Sequence, residues 1–153
     1  MIKKEINTSS IDYYENYINQ GYSEILTKYL ENLFNQYKYD SNYIQNKSND
    51  THQALWFGPL DYKYGRFKNL EATNMPEEIL CLSKIIEKGF LNSVYINRYF
   101  GAGIGYHHDN DSIFKSDKSW DGGKDIIVVV LSLGDEAKIS IADKDKNFIG
   151  SII

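Results

Sequence analysis

A chain of 153 residues has room for one sizeable hydrophobic core, and its net charge of −4 excludes a protein that coats nucleic acid by bulk charge, though not one with a local basic groove. At 42% hydrophobic and 25% charged residues, the composition is that of a globular protein and excludes wholesale disorder. One cysteine, Cys81, excludes an internal disulfide and suits a reducing compartment.

The longest apolar run, Ile126 to Leu131, falls far short of the ~20 residues of a membrane span, so no membrane partner is expected. Met1 to Asn7 is charged with no apolar stretch behind it. It does not read as a signal peptide, and the expected location is cytoplasmic, or nuclear in a eukaryote.

In chain order, Ile11 to Asn19 allows a short, weak helix. Ser23 to Tyr37 is the clearest one: Ile25, Leu26, Tyr29, Leu30, Leu33, Phe34 and Tyr37 form one stripe at period 3.6, with Ser23 as the expected N-cap. Asp40 to Asp50 is polar and reads as a loop, and His52 beyond it reads as a loop or strand-edge histidine. Ala54 to Gly65 is strand-like, broken by Gly58-Pro59, and predicts a hairpin. A second helix is expected from Asn74-Met75-Pro76, with Pro76 at the first helical position and Glu77 and Glu78 at the positive end of the dipole. Ile79, Leu82, Ile85 and Ile86 make its expected buried face, Cys81 is expected as a small core residue beside it, and Gly89 closes it.

Strand text follows. Ser93 to Tyr99 alternates Val94, Ile96 and Arg98 against Tyr95, Asn97 and Tyr99. Ile126 to Leu133 reads as a strand buried on both faces, and Lys138 to Ile141 and Phe148 to Ile153 as two more. Lys115 to Lys124 reads as a surface loop, and Trp56 and Trp120 as core or lid. Helices first and strands afterwards predict an α+β fold, with residues 1–50 as an N-terminal helical part of a single domain.

The chemistry concentrates between Ile96 and Asp111. On a strand, His107 and Asp109 would project to one face, and an imidazole with a carboxylate supplies two ligands of a 2-His-1-carboxylate Fe(II) site. A bare His-x-Asp is a weak signal, but its flanks are specific. Asn97-Arg98-Tyr99, Gly101 to Gly103, Ile104 and His107-His108-Asp109-Asn110-Asp111 follow one another in a pattern that resembles the AlkB-like 2-oxoglutarate- and Fe(II)-dependent dioxygenases. Ser132-Leu133-Gly134 after an apolar strand, Ala54 to Gly58 followed by Tyr62-Lys63-Tyr64-Gly65, and Met75-Pro76 opening a helix extend the likeness over roughly residues 50 to 153.

The resemblance implies a double-stranded β-helix, or jelly-roll, with N-terminal helices packed on it, and a lid hairpin within residues 51–153. It implies that His107 and Asp109 bind Fe(II) and that Asn97 and Tyr99 hydrogen-bond 2-oxoglutarate. It places Tyr64 where an aromatic stacks on the target base, Tyr62 beside it in the lid, and Asp111 where an acidic residue contacts that base. The implied activity is oxidative removal of N-alkyl groups from alkylated DNA or RNA, the alkyl carbon leaving as an aldehyde. The run Tyr62, Lys63, Tyr64, Arg66, Phe67, Lys68 fits base stacking beside a positive groove, and fits equally a hairpin with inward aromatics and solvated cations.

The family's pattern also has a distal metal histidine and two arginines downstream. Here no histidine follows His108 and no arginine follows Arg98. The corresponding expectation is an N-terminal part of such an enzyme, its last strands missing and a C-terminal segment as a partner. A non-catalytic remnant serving as a binding module, and a dioxygenase with a protein or small-molecule substrate, stay open beside it.

Overall fold

The computed structural model describes residues 2–6, 9–45, 52–64, 68–87, 91–101, 128–142, 145 and 147–152. Their elements in chain order are β1 (Ile2–Ile6), β2 (Ser9–Tyr13), α1 (Gln20–Gln36), β3 (Tyr43–Gln45), β4 (His52–Phe57), β5 (Tyr62–Tyr64), β6 (Lys68–Leu70), α2 (Glu77–Glu87), β7 (Val94–Tyr99), β8 (Ile139–Ala142) and β9 (Phe148–Ile152). Two units are distinct, residues 1–32 with 129–153, and residues 33–128.

The first unit begins with strands where the sequence allowed a helix. β1 and β2 pair antiparallel from Ile2↔Tyr13 to Ile6↔Ser9. Ser9-Ser10-Ile11-Asp12-Tyr13 contains no strong helix former, so a ladder to a neighbouring segment wins over an isolated turn of helix. α1 starts at Gln20, ahead of the expected Ser23, because Asn19 caps it: its Oδ1 accepts the Tyr22 backbone N–H at 2.9 Å. The buried stripe is narrower than the periodicity indicated. Leu26 is buried, but Ile25, one position round the helix, is 68% exposed. β8 and β9 pair antiparallel with a register shift between Ile141 and Ala142, in the two places where the sequence predicts strands.

The second unit holds a three-stranded antiparallel sheet in the order β3-β4-β7. β4 is central, and Ala54, Leu55, Trp56 and Phe57 are all buried, as a strand covered on both faces requires. β3 lies inside the stretch expected to be a loop. Its short ladder continues into Asn42, whose backbone carbonyl accepts the Trp56 N–H at 3.1 Å and whose Nδ2 donates to the Trp56 carbonyl at 3.0 Å. Asn42 is buried, so polar composition marked a residue that replaces a rung of the sheet.

The break at Gly58-Pro59 does not make a hairpin of β4 and β5. β4 pairs with β3 and β7, while β5 pairs with β6 from Tyr62↔Leu70 to Tyr64↔Lys68. Gly58 instead forms a two-bond bridge to Thr73, at 2.9 and 3.0 Å. Asp61 ties the base of the β5–β6 hairpin, its Oδ1 accepting the Ala72 N–H at 2.8 Å.

α2 begins where Pro76 and the two glutamates predict, with the Pro76 carbonyl accepting the Leu80 N–H at 2.9 Å. Ile79, Leu82 and Ser83 are buried, whereas Ile85 is 64% exposed. Cys81 is exposed rather than a core residue, since it lies off the Ile79–Leu82–Ser83 stripe. Gly89, Trp120, residues 115–124 and the start of the expected strand at 126–127 lie outside the described residues. Residues 128–133 are not in a strand, and Val128, Val129 and Val130 are exposed; no described strand offers them a ladder.

Candidate functional site

The alternation of β7 divides its chemistry between two faces of the sheet. Val94, Ile96 and Arg98 share a face with Leu55, Phe57 and Gln53 across the ladder. This is the core face. Leu55 and Phe57 are fully buried, and the Tyr37 ring meets Phe57 edge to face at 5.2 Å and 84°. At its end the Arg98 guanidinium lies 4.5 Å from the Phe34 ring centre and 5.0 Å from that of Phe100. Arg98 Nε donates to Gln53 Oε1 at 3.0 Å, and its Nη2 bonds the same oxygen. Arg98 therefore fastens the end of β7 to the start of β4 from the core side.

The opposite face carries Tyr95, Asn97 and Tyr99, paired with Trp56, Ala54 and His52. Its first part is aromatic packing. Trp56 Nε1 donates to the Leu60 carbonyl at 3.0 Å, and the Tyr62 ring sits 4.9 Å from Trp56 and 5.7 Å from Tyr95. Trp56 is thus a core residue, and Tyr62 anchors the β5–β6 hairpin against the sheet. Tyr64 is the last residue of β5, opposite Lys68.

The second part of that face is polar. Asn97 and Tyr99 are both exposed, and His52 joins them. His52 Nε2 lies 2.8 Å from Asn97 Oδ1, and its ring is stacked on Tyr99 with centres 4.8 Å apart and planes at 10°. The strand alternation thus brings Asn97 and Tyr99 to one face, as the sequence predicts. The addition of His52 could not be read from spacing, because it comes from a strand 45 residues away from its partner Asn97.

The donor set fits a carboxylate ligand: a carboxamide and a phenol hydroxyl offer neutral N–H and O–H donors side by side. His107 and Asp109, with Asp111, lie outside the described residues. An imidazole and a carboxylate are suitable Fe(II) ligands by donor type. Among the described residues no group of three or more His, Cys, Asp or Glu could hold a metal ion. Among the described residues, too, no helix is long and apolar enough to cross a membrane.

Comparison with protein-family models, with curated proteins and with solved structures finds no match to this chain.

Proposed function

We propose that this chain carries the Asn-x-Tyr and His-x-Asp part of an AlkB-like, jelly-roll dioxygenase that uses Fe(II) and 2-oxoglutarate to remove N-alkyl groups from the bases of DNA or RNA; the second metal histidine and the arginine pair of that pattern are not among residues 1–153. The observation that carries the reading is the Asn97-x-Tyr99 pair, exposed on one face of β7, with the His107-x-Asp109 pair following it in the sequence. Gly101 has φ +68°, a left-handed conformation that ends the strand and that glycine adopts without strain.

In this reading Asn97 and Tyr99 orient 2-oxoglutarate through hydrogen bonds, and His107 and Asp109 hold the metal. Tyr64 stacks on the flipped base, Tyr62 fixes the hairpin that carries it, and Asp111 contacts the base edge. The bound metal and cosubstrate supply the oxidation: one O₂ and one 2-oxoglutarate yield succinate and CO₂, and an N-methyl group leaves as formaldehyde.

The test is incubation of the protein with Fe(II), 2-oxoglutarate and a methylated single-stranded DNA or RNA oligonucleotide. Succinate and formaldehyde should appear in equal amounts with unmethylated base. Succinate formed only with a peptide or small molecule would keep the dioxygenase and replace the substrate. Absence of metal-dependent 2-oxoglutarate binding would refute the reading altogether.

A further inference from the structure

We propose that His52 is a positioning residue for Asn97 and Tyr99, holding their side chains in the orientation that receives a carboxylate. It rests on the cosubstrate role proposed for those two residues, and adds to it a group that the sequence pattern reads only as a loop or strand-edge histidine.

The register explains how one imidazole serves both neighbours. His52 is directly opposite Tyr99, and Asn97 is its diagonal neighbour on the same face. Ala54 stands opposite Asn97, and its single methyl group leaves the imidazole room to lean along the strand. The result is a parallel ring stack at 4.8 Å on one side and a 2.8 Å hydrogen bond on the other.

That bond fixes a tautomer. For Asn97 Oδ1 to accept, neutral His52 must carry its proton on Nε2. The Asn97 carboxamide is then held with its oxygen toward His52, which leaves its two N–H donors on the side away from the imidazole. Without His52 the amide could rotate by half a turn and present an oxygen, which repels a carboxylate. The stack likewise restricts rotation of the Tyr99 ring, and with it the line along which its hydroxyl points. On the core face, Gln53 and Arg98 fasten the same two strands. β7 is therefore held at this height from both sides, a precondition for placing donors precisely.

Two variants separate the two contacts. His52→Phe keeps a ring against Tyr99 and loses the donor; His52→Gln keeps an N–H donor and loses the stack. Binding of 2-oxoglutarate is measured by calorimetry on the full chain with Mn(II), which loads the site without turnover. His52→Phe should weaken binding about fivefold to tenfold, the usual worth of one neutral hydrogen bond, and His52→Gln should recover part of it. In parallel, nitrogen-15 spectra of the wild-type imidazole should show the proton on Nε2. Unchanged affinity in His52→Phe, or a proton on Nδ1, overturns the inference. If His52→Phe does not fold, the wild-type tautomer still decides. If wild-type protein binds no 2-oxoglutarate, the functional reading fails and the positioning role fails with it, whereas loss in His52→Phe alone sustains both.

Discussion

Gly58→Ala tests the packing that joins the sheet to the hairpin. A Cβ at position 58 would lie 2.7 Å from Trp56 Cζ2, 2.9 Å from Ser93 Oγ and 3.2 Å from Ser93 Cβ. Carbon atoms at rest sit about 3.5–4.0 Å apart, so the overlap with the indole is roughly 1 Å. Neither side yields easily. The Trp56 ring is held by its bond to the Leu60 carbonyl and by Tyr62, and Gly58 is held to Thr73 at both its N–H and its carbonyl. Overpacking of this kind costs about 1–3 kcal/mol. Alanine also restricts the unfolded chain, which offsets about 0.4–1 kcal/mol. The net expectation is about 1–2 kcal/mol of lost stability, or a melting temperature lower by roughly 2–8 °C. Urea and thermal unfolding measure it. Gly150→Ala is the control, since among the described residues other than its two chain neighbours no atom lies within 4 Å of the Cβ it would add. Equal stability of Gly58→Ala and wild type would refute the packing described around Trp56.

Three further outcomes are expected. Asn42→Ala should cost about 1–3 kcal/mol in urea unfolding, because it removes a buried N–H donor from the Trp56 carbonyl and leaves that acceptor short of a partner. Asn19→Ala should cost about 1 kcal/mol through loss of the α1 cap, and Asn19→Asp should retain most of that stability. On the proposed function, His107→Ala and Asp109→Ala should each abolish Mn(II)-dependent binding of 2-oxoglutarate, read by calorimetry; retained binding in both would remove them from the metal site.

The elements legible in the sequence are those whose signal is local. α1 and α2 announce themselves by period 3.6 and by the Pro76-Glu77-Glu78 start, and β7, β8 and β9 by β-branched and alternating text. The shared face of Asn97 and Tyr99 follows from strand geometry alone. Elements that exist through their partners were not legible. Sequence alone allows a helix in place of part of β2 and predicts a loop in place of β3, because short polar strands are stabilised by a ladder that no window of sequence contains. The Gly58 break is visible in the sequence, but its partner, Thr73, is not, so the text predicts a β4–β5 hairpin where β5 pairs with β6. Ile25, Ile85 and Cys81 show the same limit on helices: periodicity gives an apolar arc, and only packing decides how much of it is covered.

Sequence by itself determined the types of group available, among them a strand with an amide and a phenol on one side, and a histidine–aspartate pair beyond it. Tertiary structure alone decided that His52 stands beside Asn97 and Tyr99. That contact spans 45 positions, and it arises because β4 and β7 pair in a register that sets an alanine opposite the asparagine.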